Sequence, residues 1–368
     1  MKIAVVGAGN GGCAVAGDMA YRGLDVTLIK TSNAMHDDNF EYLLKNDGNI
    51  TLYDFGDNGC MNPTAENQVI KKGKIAKVTR DISEVQNMDV VIIYVQTNYH
   101  ESVIQRISPY VKDGQLYIIN PGYFSTAFML KYCHGKKITI IEAQSSFIDC
   151  RISEPGKIRV GFRNVRNPLG IYPHENIESA KVILEKLGFP FVYLNHVAEA
   201  ALHNPNLIVH TVGALLSMPM IDMEKENFCM YHSSFTEHVW SVLEALDKEK
   251  MDILEKLGCR RIPYVEACKF RNSLDETENA KQVFFEYAAM PTRAKAPSSV
   301  NSRYVTEDVP QGLVMLETLG NILQVHTPIC SALISIASAA LNQNFRETGR
   351  TVEKLGIENI HEILNDSN

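Results

Sequence analysis

Met1-Lys2-Ile3-Ala4-Val5-Val6-Gly7-Ala8-Gly9-Asn10-Gly11-Gly12-Cys13-Ala14-Val15-Ala16-Gly17 opens the chain and decides how the rest is read. Lys2 to Val6 is a short apolar, β-branched run of the kind that forms a strand buried on both faces. Gly7 to Gly12 then spells G-x-G-x-x-G, and Cys13 to Ala20 is small and helix-permissive. Strand, glycine turn and helix in that order make this a dinucleotide-binding fingerprint rather than a chance spacing. Gly7 is expected to make the tight turn, and Gly9 to let the backbone approach a pyrophosphate. Gly12 allows close helix–strand packing, and Asn10 opens the helix whose N-terminus faces the phosphates.

Working outward, Asp25 to Ile29 is a second strand, and its end is where a nucleotide-binding fold usually places an acid for the ribose hydroxyls. Lys30-Thr31-Ser32 stands there instead. A cation with two hydroxyls favours a 2′-phosphate, so NADP(H) is the expected cofactor and NAD(H) the second choice. The alternative is a solvated Lys30 with NAD in use.

Residues 46 to 80 are rich in Gly, Asn and Lys with short alternating runs, which suggests a hairpin or irregular insertion. Asp89 to Val95 is another buried strand, and Gln96 and Thr97 follow at its carboxyl end, where nucleotide contacts concentrate. His100 sits on the turn into the next helix. Leu116 to Ile119 and Ile138 to Ile141 continue the pattern, ending at Asn120-Pro121-Gly122 and at Glu142. Lys157 to Phe162 and Phe191 to Leu194 read as later strands. This alternation predicts an α/β doubly wound Rossmann domain over residues 1–194. From about Asn195 strand-like runs give way to helical periodicity, so residues 195–368 are expected to form a mostly α-helical domain. Pro291 to Ser302 is a Pro/Ser/Ala loop feeding into Arg303–Pro310.

Bulk properties narrow the function classes. The chain has 368 residues, enough for two domains, with 45% hydrophobic and 21% charged residues. A formal net charge of −7 without a basic run argues against nucleic acid. No apolar run reaches the roughly 18 residues of a membrane helix, and the start lacks a signal-peptide pattern. Eight scattered cysteines without C-x-x-C read as reduced thiols in a cytoplasmic protein. His196, His203 and His210 recur at intervals of seven, but two helical turns is about 10.5 Å, too far for one zinc with bonds of about 2 Å. No metal is expected.

Asn204-Pro205-Asn206-Leu207-Ile208-Val209-His210 resembles the N-x-N-x-x-x-H signature of the opine dehydrogenases, the octopine/nopaline dehydrogenase family. Gly170–Pro173, the 235–258 stretch, Ser302–Leu313 (SRYVTEDVPQGL) and Thr348–Gly356 (TGRTVEKLG) are similar to further family segments in the same order. The resemblance implies an NAD(P)H-dependent reductive condensation. An amino acid's amine joins a 2-oxo acid of the pyruvate or 2-oxoglutarate class, and the imine is reduced to an N-(carboxyalkyl) amino acid. It further implies His210 and Asp308 as catalytic partners and Arg303 as the substrate-carboxylate anchor. Asn206, Tyr123 and Glu142 complete the implied substrate-binding set, and the helical domain is the candidate surface of a homodimer.

Those residue types suit the chemistry. A histidine exchanges protons near its ordinary pKa of about 6.5. A carboxylate on its other nitrogen fixes the tautomer, and an arginine fork matches a carboxylate. Each also has a bland alternative: a hydrogen-bonded core histidine at 210, a helix N-cap at Asp308, a surface ion pair at Arg303. Two departures stand out, Thr211 where relatives often carry proline and Tyr123 where many carry glutamine. Two other functions compete: a ketopantoate-reductase-like enzyme, which would need a helical-domain lysine absent from 196–218, and a non-catalytic NADP-binding sensor.

Overall fold

Lys2–Val6 is β1, and its four buried apolar residues place it inside an eight-stranded sheet. In the computed structural model, residues 1–56, 66, 68–290, 293 and 295–366 are described. Cys60 and loop residues Pro291, Thr292 and Ala294 lie outside them. The chain divides into two units, one of Met1–Val197 with Arg271–Ser273 and the chain end from Asp366, the other of Ala198–Phe270 and Leu274–Asn365.

In the first unit β1 is followed by helix α1 (Asn10–Tyr21), β2 (Asp25–Ile29) and α2 (Asp37–Lys45). Strands β3 (Asn49–Asp54), β4 (Val69–Lys74), β5 (Lys77–Thr79) and β6 (Val90–Ile93) come next, then α3 (His100–Ile107), β7 (Leu116–Ile119) and α4 (Thr126–Tyr132). Strands β8 (Thr139–Ala143), β9 (Ile148–Glu154), β10 (Lys157–Arg163) and β11 (Asn167–Tyr172), helix α5 (Ile177–Glu185) and strand β12 (Phe191–Tyr193) complete it. The main sheet runs β12-β11-β8-β7-β6-β1-β2-β5. From β5 to β8 every pair is parallel. This is the doubly wound order, with β1 beside β6 at the point where the winding reverses. The antiparallel β8–β11 pair extends one edge.

A four-stranded sheet, β4-β3-β10-β9, forms a second layer. β10 thus belongs to this sheet and not to the main one, and the hairpin expected over 46–80 is its β3–β4 pair. It packs on α1 so closely that a Cβ on Gly73 would lie 2.5 Å from the Gly17 carbonyl oxygen. Arg163 fastens the contact, with Nη2 2.7 Å from both Asp18 of α1 and Asp54 of β3.

The second unit is helical: α6 (Val197–Leu202), α7 (Pro205–Leu215), α8 (Met218–Glu224), α9 (Met230–Ser233) and the long α10 (Glu237–Lys256). Then come α11 (Tyr264–Asn272), α12 (Ala280–Ala289), α13 (Arg303–Thr306), a π turn over Val309–Leu313, α14 (Val314–Leu323) and α15 (Pro328–Leu341). Short helices α16 (Phe345–Thr348), α17 (Val352–Leu355) and α18 (Ile357–Leu364) end the chain. Trp240, the only tryptophan, is buried against Phe235, Phe284 and Phe285. Among the described residues no single helix is long and apolar enough to cross a membrane.

Candidate active site

The glycine loop has the geometry its spacing demands. Gly7 adopts φ +123°, and a Cβ there would strike the Tyr94 carbonyl oxygen at 2.2 Å. A Cβ on Gly12 would lie 1.8 Å from the Gly7 oxygen, so only glycine permits this approach of helix to strand. Gly9 differs, because a Cβ there meets nothing nearer than His36 Cδ2 at 4.0 Å. The backbone therefore borders open space at the start of α1. That helix start carries no side-chain cap and no acid in its first turn, so its N–H groups suit a pyrophosphate. The Asn10 side chain also ties α1 to the second sheet, since Oδ1 accepts the Ile152 N–H of β9 at 2.8 Å. Gln96 and the buried Thr97 lie at the carboxyl end of β6. His100 pins that turn, with Nδ1 2.7 Å from Ser125 Oγ and Nε2 3.2 Å from the Val95 oxygen.

Lys30 corrects an expectation. It is only 4% exposed, and Nζ donates to the Met35 carbonyl at 2.7 Å and lies 3.3 Å from Asp37. A cation committed in this way is not the one offered to a 2′-phosphate. Two arginines edge the same segment. Arg80 donates to the Ser32 oxygen and to Asn33 and lies 3.1 Å from Asp37. The exposed Arg106, in the last turn of α3, donates to the Thr31 oxygen at 2.9 Å.

Tyr123 and Glu142 are also corrected. Both are buried, at 1% and 0% exposure. Tyr123 and Phe124 have φ of 51° and 65°, a region costly for bulky residues unless the surroundings impose it. Glu142 imposes it: Oε2 accepts the Phe124 N–H, and Oε1 accepts both the Thr126 N–H and hydroxyl, all within 2.8 Å. The carboxylate builds the turn after β7 rather than reaching a substrate.

The second unit brings together the residues that its motifs single out. Asn204 caps α7, its Oδ1 accepting the Asn206 N–H, and Pro205 takes the first helical position. Asn206 and His210, four apart, then share one helix face. His210 Nδ1 lies 2.8 Å from Asp308 Oδ2, closing 98 residues of chain. Both are buried, at 5% and 2% exposure. A carboxylate only accepts, so Nδ1 carries the hydrogen and Nε2 is left to act as the base. Asp308 makes no cap bond with its side chain, which sets aside the capping alternative.

Burial pushes the His210 pKa down, Asp308 partly offsets this, and the charges of Arg303 and Arg293 press it lower, so the net is below 6.5. Arg303 stands in α13 with its side chain 55% exposed, Nη1 4.0 Å from Glu307. Thr211, the departure from proline, is fully buried and closes its hydroxyl on the Leu207 carbonyl one turn back at 2.7 Å. His203 and His196 are both buried, at 5% exposure each. Burial, with Lys250 adding to it, drives the His203 pKa well below 6.5.

Two residues escape the sequence reading. Tyr304 stacks flat on the His210 ring, centroids 3.9 Å apart and planes 2° from parallel. Arg293 lies over the rings of Tyr231 and Tyr287, 4.1 Å from each centroid. Tyr304 could have been found beside Arg303 in the SRY motif; Arg293 sits in a loop with no periodicity to flag it. Among the described residues no group of three His, Cys, Asp or Glu could hold a metal ion.

Comparison with known proteins agrees with this division of labour. The model of the α-helical domain of NAD/NADP octopine/nopaline dehydrogenase matches residues 193–341. That of ketopantoate reductase PanE/ApbA matches residues 3–163. An opine dehydrogenase of Arthrobacter sp. (strain 1C) is 28% identical, covering 97% of this chain and 95% of its own. A solved octopine dehydrogenase, in complex with NADH and agmatine, superposes with a TM-score of 0.80 at 18% identity, covering 100% of this chain and 98% of its own. A yersinopine dehydrogenase with NADP+ bound gives 0.71 at 16% identity, over 100% and 96%. The chain is thus similar to the opine dehydrogenases over nearly its whole length, and its helical half matches the NAD/NADP octopine/nopaline dehydrogenase model, the company of an NAD(P)-dependent oxidoreductase acting on CH–NH bonds.

Proposed function

We propose that this protein joins the amine of an amino acid to a 2-oxo acid, of the pyruvate or 2-oxoglutarate class, and reduces the imine to an N-(carboxyalkyl) amino acid. The observation that carries the reading is the buried His210–Asp308 bond, closed across 98 residues and flanked by Tyr304 and Arg303. NAD(P)H supplies the hydride. His210, uncharged at neutral pH and held in one tautomer, takes the proton that the attacking amine must lose and returns one to the departing oxygen. Asp308 stabilises the imidazolium formed between those events. Tyr304 fixes the plane of the ring. The family model of ketopantoate reductase matches residues 3–163, in the nucleotide-binding half, and α7 contains no lysine to serve that chemistry.

The product carries two carboxylates, and two arginines bear on His210. Arg303 is assigned to the oxo acid and Arg293 to the amino acid. NADPH oxidation with a panel of oxo acids should then depend on an added amine. An equal rate with oxo acid alone would overturn the reading in favour of a simple oxo-acid reductase. Arg303→Lys, which keeps the charge but loses the fork, should raise the oxo-acid KM about tenfold or more with NADPH affinity unchanged. An unchanged oxo-acid KM would remove Arg303 from the anchor role.

For the cofactor we favour NADPH, because no acid ends β2 and Arg106 and Arg80 edge the Thr31–Ser32 segment. Arg106→Ala should weaken NADPH about tenfold, the loss of one charge-assisted contact, and leave NADH almost unaffected. Equal dissociation constants for the two cofactors in the parent protein would end this preference. The described cysteines are free thiols, all but Cys268 buried, as suits a reducing compartment such as the cytoplasm.

A further inference from the structure

Thr348-Gly349-Arg350 carries no part of the chemistry described so far, yet it contains the largest fully buried side chain among the described residues. Arg350 is 0% exposed. Burying a guanidinium is expensive unless its geometry is used. Here its Nε donates to Gln311 Oε1 at 2.8 Å. Its backbone N–H donates to the Pro310 carbonyl at 3.0 Å, and its own carbonyl accepts the Thr318 hydroxyl at 3.0 Å. Gly349 brings the strand of chain within reach: a Cβ there would lie 2.7 Å from the Pro310 oxygen and 2.7 Å from Val314 Cβ.

Pro310 and Gln311 belong to the π turn Val309–Leu313, in which the Val314 N–H reaches back five residues to Val309. Such turns are strained, uncommon and concentrated at functional sites. Asp308 is the residue immediately before it, and its Oδ2 must stay 2.8 Å from His210 Nδ1. A widened turn without an external clamp can relax to ordinary helix. That relaxation rotates every residue at its start, Asp308 included.

We propose that Arg350 is a positioning residue for the His210–Asp308 pair, acting through the π turn by its bonds to Gln311 and Pro310. The inference rests on the reading of that pair as the proton-transfer machinery, but its main readout needs no substrate. Arg350→Lys removes the planar fork and keeps the charge. Gln311→Met removes the acceptor and keeps the shape, and so guards against misfolding of the first variant.

In protein labelled with 15N-histidine, both variants should lose the Nδ1–H tautomer signature of His210, and its titration should move further below that of the parent as Asp308's offset weakens. In turnover, kcat should fall about 10²-fold, the penalty of an ångström-scale misplacement, with the oxo-acid KM little changed. Addition of guanidinium to Arg350→Ala should restore part of the His210 signature. Variants that lose melting temperature while the His210 tautomer, titration and kcat stay at parental values would overturn the proposal and leave Arg350 as a core residue only. If the parent shows no opine-forming activity at all, the proposed function fails, while the His210 spectra still decide the role of Arg350.

Discussion

His210→Ala should lower turnover by roughly 10²- to 10⁴-fold, the usual contribution of general acid–base catalysis, or about 3–5 kcal/mol of transition-state stabilisation. Asp308→Asn should cost a large part of that, because an amide neither stabilises an imidazolium nor enforces the Nδ1–H tautomer. The double variant should be little worse than His210→Ala alone, since groups serving one step are non-additive. Fully multiplicative losses would show that Asp308 works apart from His210. Its side chain makes no cap bond, so the melting temperature of Asp308→Asn should stay close to the parent's.

The pH profile follows with a definite sign. The base must be neutral, and burial, reinforced by Arg303 and Arg293, holds the His210 pKa below 6.5. Activity should therefore persist below pH 6.5 and fall only as pH drops through the depressed value. Stability runs the same way, because the unfolded chain binds this proton more readily. The neutral ring's contribution is complete above pH 6.5 and is lost on acidification. An acid limb centred above 6.5 would contradict the burial of the pair.

Gly9→Val should separate binding from folding. Gly9 has φ −86° and ψ −168°, extended backbone that valine adopts without strain, and its Cβ would meet only His36 Cδ2 at 4.0 Å. The fold should therefore keep its melting temperature. The space the valine fills is the one assigned to the pyrophosphate, so NADPH affinity should fall by about 10- to 100-fold, the cost of overpacking by about 1–3 kcal/mol. Gly12→Ala is the contrast: its Cβ would sit 1.8 Å from the Gly7 oxygen, and it should unfold the nucleotide-binding unit. Parental NADPH affinity in a folded Gly9→Val protein would place the pyrophosphate elsewhere.

The parts of this fold that can be read from the chain are those that local physics determines. Val90–Ile93 and Leu116–Ile119 are buried on every residue, and such runs announce themselves. The second sheet does not, because β3 and β10 pair across more than a hundred residues and Lys157–Arg163 alternates polar and apolar like any edge strand. Lys30 shows a different difficulty. Nothing in Lys30-Thr31-Ser32 reveals that Asp37 and the Met35 carbonyl turn the ammonium inward. Glu142 reads as a polar strand end, and only the folded turn shows its oxygens given to Phe124 and Thr126. In the helical unit, motif order named His210, Asp308 and Arg303, whereas the flat contact of Tyr304 exists only in three dimensions.

Trp240 has a practical consequence. It is the sole indole, it lies in the helical unit, and its Nε1–H is fixed to Glu244 at 2.6 Å within an aromatic cluster. Emission excited selectively from tryptophan is therefore blind to the nucleotide-binding unit. Set beside backbone circular dichroism, which sees both units, one optical melt reports on one half of the molecule. Two coincident transitions mean that the halves unfold as a single cooperative body, and two separated ones assign the fluorescent step to the helices.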